Sequence, residues 1–306
     1  MSQTLETLTR RTGTMGSIRS IVRTMKTMSA INALPYEQAV QAIEAYRATV
    51  LEGLHAFVKA NGPLPQEHDV QAAPILIAFG SDHGLCGSYN EAVAETVAQT
   101  LGGSHPAGLI CVGAQIEDAL SGLGLNPRRA LLTPATADGL GRLAGRLITA
   151  LDGLRQSAAD ATVSLVFMRR GVHGLQQPCM QRLLPLDADL TERLSTTPWT
   201  SRSLPQFRGA PAELLAALIR SYLFAQIYGA AAEAMVTENA ARLARMQQAE
   251  RAVDEQLEGL TGALREVRQN QITTELLDVI IGFEALRARH GKTSKSFASG
   301  QIFNAG

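Results

Sequence analysis

Ser81, His83 and Cys86 fall close together in SDHGLCGSYN, between a short apolar run and a helical pattern. A strand-to-helix turn is where phosphates are often held, because the N–H groups at a helix start point outward at the anion. This stretch lacks the lysine of a GxxxxGK[ST] loop, and no GxGxxG occurs in it. Gly84 and Gly87 therefore read as the residues that permit a tight turn. His83 beside Cys86 is the pairing a thiol nucleophile or a metal site would need, but no second ligand pair stands at zinc spacing. The carboxylates are dispersed, so spacing supports no acid–base pair. The reading is of no catalytic residue, no metal and no cofactor.

The surrounding composition limits the alternatives. The 306 residues carry 28 basic and 28 acidic side chains, which argues against a nucleic-acid footprint spread over the whole protein. Hydrophobic residues make up 45 % but aromatics only 5 %, a balance that leans towards long helices. The three cysteines, Cys86, Cys111 and Cys179, are scattered and odd in number, which predicts reduced thiols. The first residues contain no apolar core of signal-peptide length. No run of about eighteen apolar residues occurs, so no direct membrane span is expected.

Three zones differ in periodicity. In residues 1–60, Leu5, Leu8, Met15, Ile18, Val22, Met25 and Met28 recur at helical spacing. Gly13 and Gly16 weaken that helix, and Pro35 predicts a kink or a split. Residues 61–74 read as a linker. Residues 75–207 alternate strand and helix. ILIAFG, GLICVG, RALLT and TVSLVFMRR are the strand candidates, with CMQRLLPL as a possible fifth. That alternation predicts a small parallel α/β layer of Rossmann-like type. A helix follows over 208–290, opened by Pro211, and a basic tail over 291–306 is expected to be disordered.

Within the last helix Val253, Leu257, Leu260, Leu264 and Val267 step four, three, four, three, the seam of a coiled coil. The first helix is the natural partner, running antiparallel, with the α/β layer inserted in sequence between the two. Beyond the seam the pattern breaks. Gln271 and Thr274 occupy its next positions, while Ile272, Leu276, Leu277, Val279, Ile280 and Ile281 spread around the whole helix. One partner covers one stripe only, so an apolar peg of this kind calls for a socket made by other chains. Arg10, Arg11, Arg19, Arg23 and Lys26, with Glu6 among them, form a net +4 stretch. It suits a solvated face or an acidic partner.

Several blocks resemble the γ subunit of F-type ATP synthases. They are RTMKTMSA (23–30), SDHGLCG (81–87), RLLPL (182–186) with Trp199, TENAARLARM (237–246) and VRQNQITTEL (267–276). The resemblance runs from about Leu5 to Leu286. It implies a non-catalytic rotor shaft whose paired helices enter a hexamer of α and β subunits. The α/β domain would meet the ε subunit and the c-subunit ring, at the cytoplasmic face of a bacterial inner membrane. Ion flow would turn the shaft and drive the β sites through ATP synthesis, or hydrolysis would run it in reverse.

Carried over residue by residue, the resemblance implies that Met25, Lys26, Arg242, Arg268, Gln269, Thr273 and Glu275 contact the hexamer or brace the helices. Arg268 and Gln269 would form a polar catch, since a guanidinium can grip a carboxylate in two places. The apolar peg would turn in the hexamer's sleeve. His83 stands where the family motif has arginine, and INALPYEQ lacks the basic residues usual after RTMKTMSA. Two other readings fit the zones: a nucleotide-binding α/β enzyme with helical arms, and a coiled-coil adaptor with unrelated partners.

Overall fold

In the computed structural model the described residues are 4–64, 73–158, 160–171 and 175–298, with side chains up to residue 287. The chain divides into two compact units, Thr24–Gln247 and the pair Met1–Arg23 with Gln248–Gly306.

The larger unit is built on a five-stranded sheet. Strands β1 (Ile75–Phe79), β2 (Gly108–Val112), β3 (Arg129–Leu131), β4 (Val163–Arg170) and β5 (Gln176–Leu184) lie in the order β3-β2-β1-β4-β5. The first four are mutually parallel, and β5 pairs antiparallel with β4. The layer is thus mixed rather than wholly parallel. The physical reason is chain length: only the short segment from Gly171 to Leu175 links β4 to β5, whereas a parallel return needs a dozen residues or more.

Strand periodicity divides the core cleanly. Ile75, Ile77 and Phe79 of β1 belong to one buried cluster, while Leu76 and Ala78 belong to the cluster on the opposite face. That opposite face is covered by Val93 and Val97 of α2 (Tyr89–Leu101) and by Ile116 and Leu120 of α3 (Ala114–Gly122). The first face is covered by α4 (Leu140–Ser157) and by parts of the two long helices, α1 (Leu5–Asn61) and α6 (Pro211–Ala298). Tyr36 and Ala39 of α1 and Ile227, Ala231 and Ala232 of α6 are among its contributors. The short α5 (Ala188–Thr196), which periodicity did not reveal, packs Leu190 and Leu194 against Leu54, Phe57 and Tyr222.

Two helix expectations change. Pro35 does not split α1, which continues as one helix from Leu5 to Asn61. Proline removes a single donor, while Tyr36 and Ala39 immediately after it are buried in the core. Likewise α6 does not end near 290 but continues to Ala298. No proline follows Pro211, and Gly291 alone costs about 1 kcal/mol. Residues 299–306 of the expected tail lie outside the described residues.

In the smaller unit, Arg19 Nε lies 2.6 Å from Asp254 Oδ1, and Arg23 Nε lies 2.7 Å from Glu250 Oε1. One partner advances four residues while the other retreats four, so α1 and α6 run antiparallel here. Carrying this register back sets Leu5, the start of α1, level with Arg268. The α1 stripe covered in this unit is Leu5, Leu8, Thr12, Met15, Arg19 and Val22. Ile18, which the sequence places on the same helical face as Leu8 and Val22, is 39 % exposed, as in the larger unit is Met28, at 56 %. The seam runs through Arg19 instead, because its guanidinium is matched by Asp254.

Candidate partner-contact surfaces

The seam of α6 behaves as its spacing requires. Val253 is buried and Leu257, Leu260, Leu264 and Val267 are each partly covered, whereas every described residue from 268 to 287 is exposed. The change falls level with Leu5, where α1 begins. Among the described residues the helix continues alone from Gln269 to Arg287, for roughly 28 Å at about 1.5 Å per residue.

On this overhang Ile272, Leu276, Leu277, Val279, Ile280 and Ile281 are each more than half exposed. Phe283 at 65 % and Leu286 at 60 % extend the same surface, and sequence reasoning left both out. The signal was present, since Phe283 stands three residues from Ile280 and Leu286 three from Phe283. A single helix that exposes so many large aliphatic side chains has no partner among the described residues of its own unit. Exposed apolar area on this scale marks an interaction surface.

The other residues assigned to partner contact fall into three groups, Arg242 standing by itself. Arg268, Gln269, Thr273 and Glu275 sit at the root of the overhang and are exposed. Their hydrogen bonds are local: Thr273 Oγ1 donates to the Gln269 carbonyl at 2.9 Å, and Gln271 Nε2 donates to Glu275 Oε1 at 3.2 Å. Met25 and Lys26 lie on α1 in the larger unit and are half-buried.

Arg242 is different. Its Nη2 donates to Glu238 Oε1 at 2.6 Å and to the His83 carbonyl at 3.1 Å, and its Nε reaches the Gly84 carbonyl at 3.4 Å. Its side chain is only 11 % exposed. The structure therefore places Arg242 inside the larger unit, tying the 82–87 loop to α6. Glu238, one helical turn earlier, draws it there. Burial pushes the Glu238 carboxyl above its usual range, and the Arg242 charge beside it pulls it part of the way back. Glu238 Oε2 is buried and accepts no hydrogen bond. Glu238 was missed by sequence reasoning, although Glu238 and Arg242 stand at the i,i+4 spacing of a helical ion pair.

The loop itself is held at both ends. The Asp82 carboxylate accepts hydrogen bonds from Ala114 N at 3.1 Å, Thr133 N at 2.8 Å and Thr133 Oγ1 at 2.6 Å. Ser81 N donates to Asn90 Oδ1 at 2.9 Å, and Asn90 Nδ2 donates back to Ser81 Oγ at the same distance. Between them Leu85 and Gly87 take left-handed backbone angles, φ 66° and 71°. Gly84 does not, so the first of the turn's two left-handed residues is a leucine. At Gly87 a β-carbon would collide with the Arg245 guanidinium.

Burial pushes the Cys86 thiol up, and its Sγ lies 3.5 Å from Ser81 Oγ. The Cys111 thiol is pushed up to about 12, also by burial. Thiols so shifted are poor nucleophiles. Among the described residues no cluster of His, Cys, Asp and Glu is arranged to hold a metal ion. The basic stretch on α1 is partly consumed within the chain, since Arg19 and Arg23 pair with Asp254 and Glu250. One window of α6 reaches a mean hydropathy of 1.3, and 39 % of it is buried inside the protein.

Comparison with known proteins follows the same lines. A family model described as ATP synthase matches residues 4–286. An ATP synthase gamma chain from Cyanothece sp. is 30 % identical over 273 residues, covering 78 % of this chain and 84 % of the relative. One from Synechococcus elongatus is 31 % identical over 272 residues, with the same coverage. Among solved structures, a chain of the Euglena gracilis mitochondrial ATP synthase rotor aligns with a TM-score of 0.62 at 15 % identity. That alignment covers 88 % of this chain and 98 % of the other. A chain from the central stalk and c-ring of the Tetrahymena thermophila mitochondrial enzyme gives 0.54 at 19 % identity, covering 75 % and 99 %.

Proposed function

This chain belongs to the ATP synthase gamma-chain family, and on that premise we propose that the α6 overhang is the bearing on which it turns inside a hexamer of α and β subunits. It is a central-stalk subunit of an F-type ATP synthase, without catalysis of its own, in a membrane-associated complex. Ion flow through the membrane part is coupled through it to ATP synthesis or hydrolysis in the head.

The observation that carries the bearing is the length of helix left single. Among the described residues, none in the smaller unit buries the helix from Gln269 to Arg287, whose aliphatic side chains spread over nearly every side. A bearing must hold an axis without fixing its angle. Apolar contact does so because its strength depends on area and scarcely on direction. Hydrogen bonds, which weaken steeply when misaligned, would fix one angle. The polar residues Arg268, Gln269, Thr273 and Glu275 just below the peg supply the angle-dependent grip, with Arg268 facing a carboxylate of the β subunit. Met25 and Lys26 on α1 meet β at a lower level.

The partners of the rest of the chain are the ε subunit and the c ring, on the cytoplasmic side of a bacterial inner membrane. The test is to isolate the tagged chain from its host, identify what accompanies it and assay ATPase activity. Two related nucleotide-binding subunits in equal amount, with ATPase activity, are expected. Recovery of unrelated partners alone would overturn the reading.

A further inference from the structure

The last turns of α1, the first turns of α6 and the 197–210 connection, all within the larger unit, line a half-open cavity of about 450 Å³. Phe57, Trp199, Phe207 and Leu218 wall it. The Phe57 and Phe207 rings are 6.3 Å apart and tilted by 34°. Trp199 is fixed from outside the cavity: its Nε1 donates to the Ser203 carbonyl at 3.0 Å, and His55 meets its ring at 5.2 Å. Gly53 leaves the space open, since a β-carbon there would stand 3.0 Å from Leu218 Cδ2. A single charged residue, Glu52, belongs to the lining.

Size, apolar walls and few polar groups are the attributes of a small-molecule site. The walls also have a sign. Aromatic faces are negative and attract cations, and the Glu52 carboxylate adds to that field. An anionic ligand would meet both as repulsion, and a neutral one would gain burial alone.

We propose that this cavity binds a small amphipathic cation, a short apolar body carrying an ammonium group. The body lies against Phe57 and Leu218, and the charge sits between the aromatic faces and Glu52. Nothing in this site depends on the bearing at the far end of α6.

The test uses the full-length chain at pH 8 and three ligands of one chain length: hexyltrimethylammonium, hexanol and hexanoate. Trp199 is the only tryptophan in the chain, so its fluorescence reports on the cavity directly. Saturable change with the cation is expected, weaker binding of hexanol by about fivefold or more, and none of hexanoate. Glu52→Gln, at an exposed position, should weaken the cation and leave hexanol unchanged. Gly53→Leu should abolish both, with circular dichroism showing whether the fold is kept. Equal binding of all three ligands, cation binding indifferent to Glu52→Gln, or no response into the millimolar range would each overturn the proposal.

Discussion

Arg19 and Asp254, 2.6 Å apart on antiparallel helices, set the register of the smaller unit. Both side chains are more than a third exposed, so the pair contributes only about 0.2–1 kcal/mol. Its importance is geometric. Together with Arg23 and Glu250 it fixes where α1 begins along α6, and so how much of α6 stands alone.

Two glycines in this part of α1 leave stability unused. A β-carbon at Gly13 or at Gly16 would meet nothing within 4 Å. Alanine at either should stabilise the chain by about 0.4–1 kcal/mol. Thermal or denaturant unfolding of the single variants measures this, and a loss of stability would contradict the open space at these two positions.

The loop's two glycines should respond oppositely. Gly87→Ala places a side chain in a left-handed conformation and against Arg245, and should cost about 1–2 kcal/mol or more. Gly84→Ala meets only the Gln115 side chain at 3.8 Å and should be near neutral. Equal effects in urea unfolding would contradict the assignment of the turn.

Glu238 predicts a pH dependence. Its folded pKa is raised by burial above the unfolded value, so the folded chain binds this proton more tightly than the unfolded chain does. Its contribution is therefore fully present below the unfolded carboxyl range and is lost as pH rises through the folded value. Measured against Glu238→Gln, the wild type should gain relative stability as pH falls from neutral towards 4, a range set by the usual carboxylate pKa of about 4.3. Arg242, Asp82 and His83 share that environment and are present in both proteins. A stability difference independent of pH would show that the Glu238 carboxyl is not shifted.

The polar catch is separable from the fold. Arg268→Ala with Gln269→Ala removes two exposed side chains and should leave the unfolding of the isolated chain within about 0.5 kcal/mol. Assembly or coupled ATP synthesis should fall. Normal coupled synthesis in the double variant would remove these two residues from the catch.

Much of this was legible beforehand, for identifiable reasons. Ile75, Ile77 and Phe79 alternate with Leu76 and Ala78, and a period of two left little choice of element. Val253 to Val267 keep a seam spacing that a single helix cannot bury, so a helical partner was required. Other features depend on long-range geometry that periodicity does not carry. Ile18 looked buried because it is apolar, yet the covered position is Arg19, whose partner Asp254 is distant in sequence. Arg242 was read, from the resemblance, as a residue that contacts the hexamer or braces the helices, and only the structure shows the buried Glu238 holding it against the 82–87 loop. The reversal of β5 was set by the few residues available to connect it, which counted against a wholly parallel sheet.

The central claim is rotation about the α6 overhang, and the direct measurement is to watch it. A probe carried at Leu123, which is 48 % exposed, would be followed in single immobilised complexes supplied with ATP. Sustained rotation in one direction is expected, and its loss when Val279 and Ile280 are both replaced by aspartate while the isolated chain unfolds as before. A probe that stays fixed in complexes actively hydrolysing ATP, or rotation unaffected by charges on the peg, would contradict it.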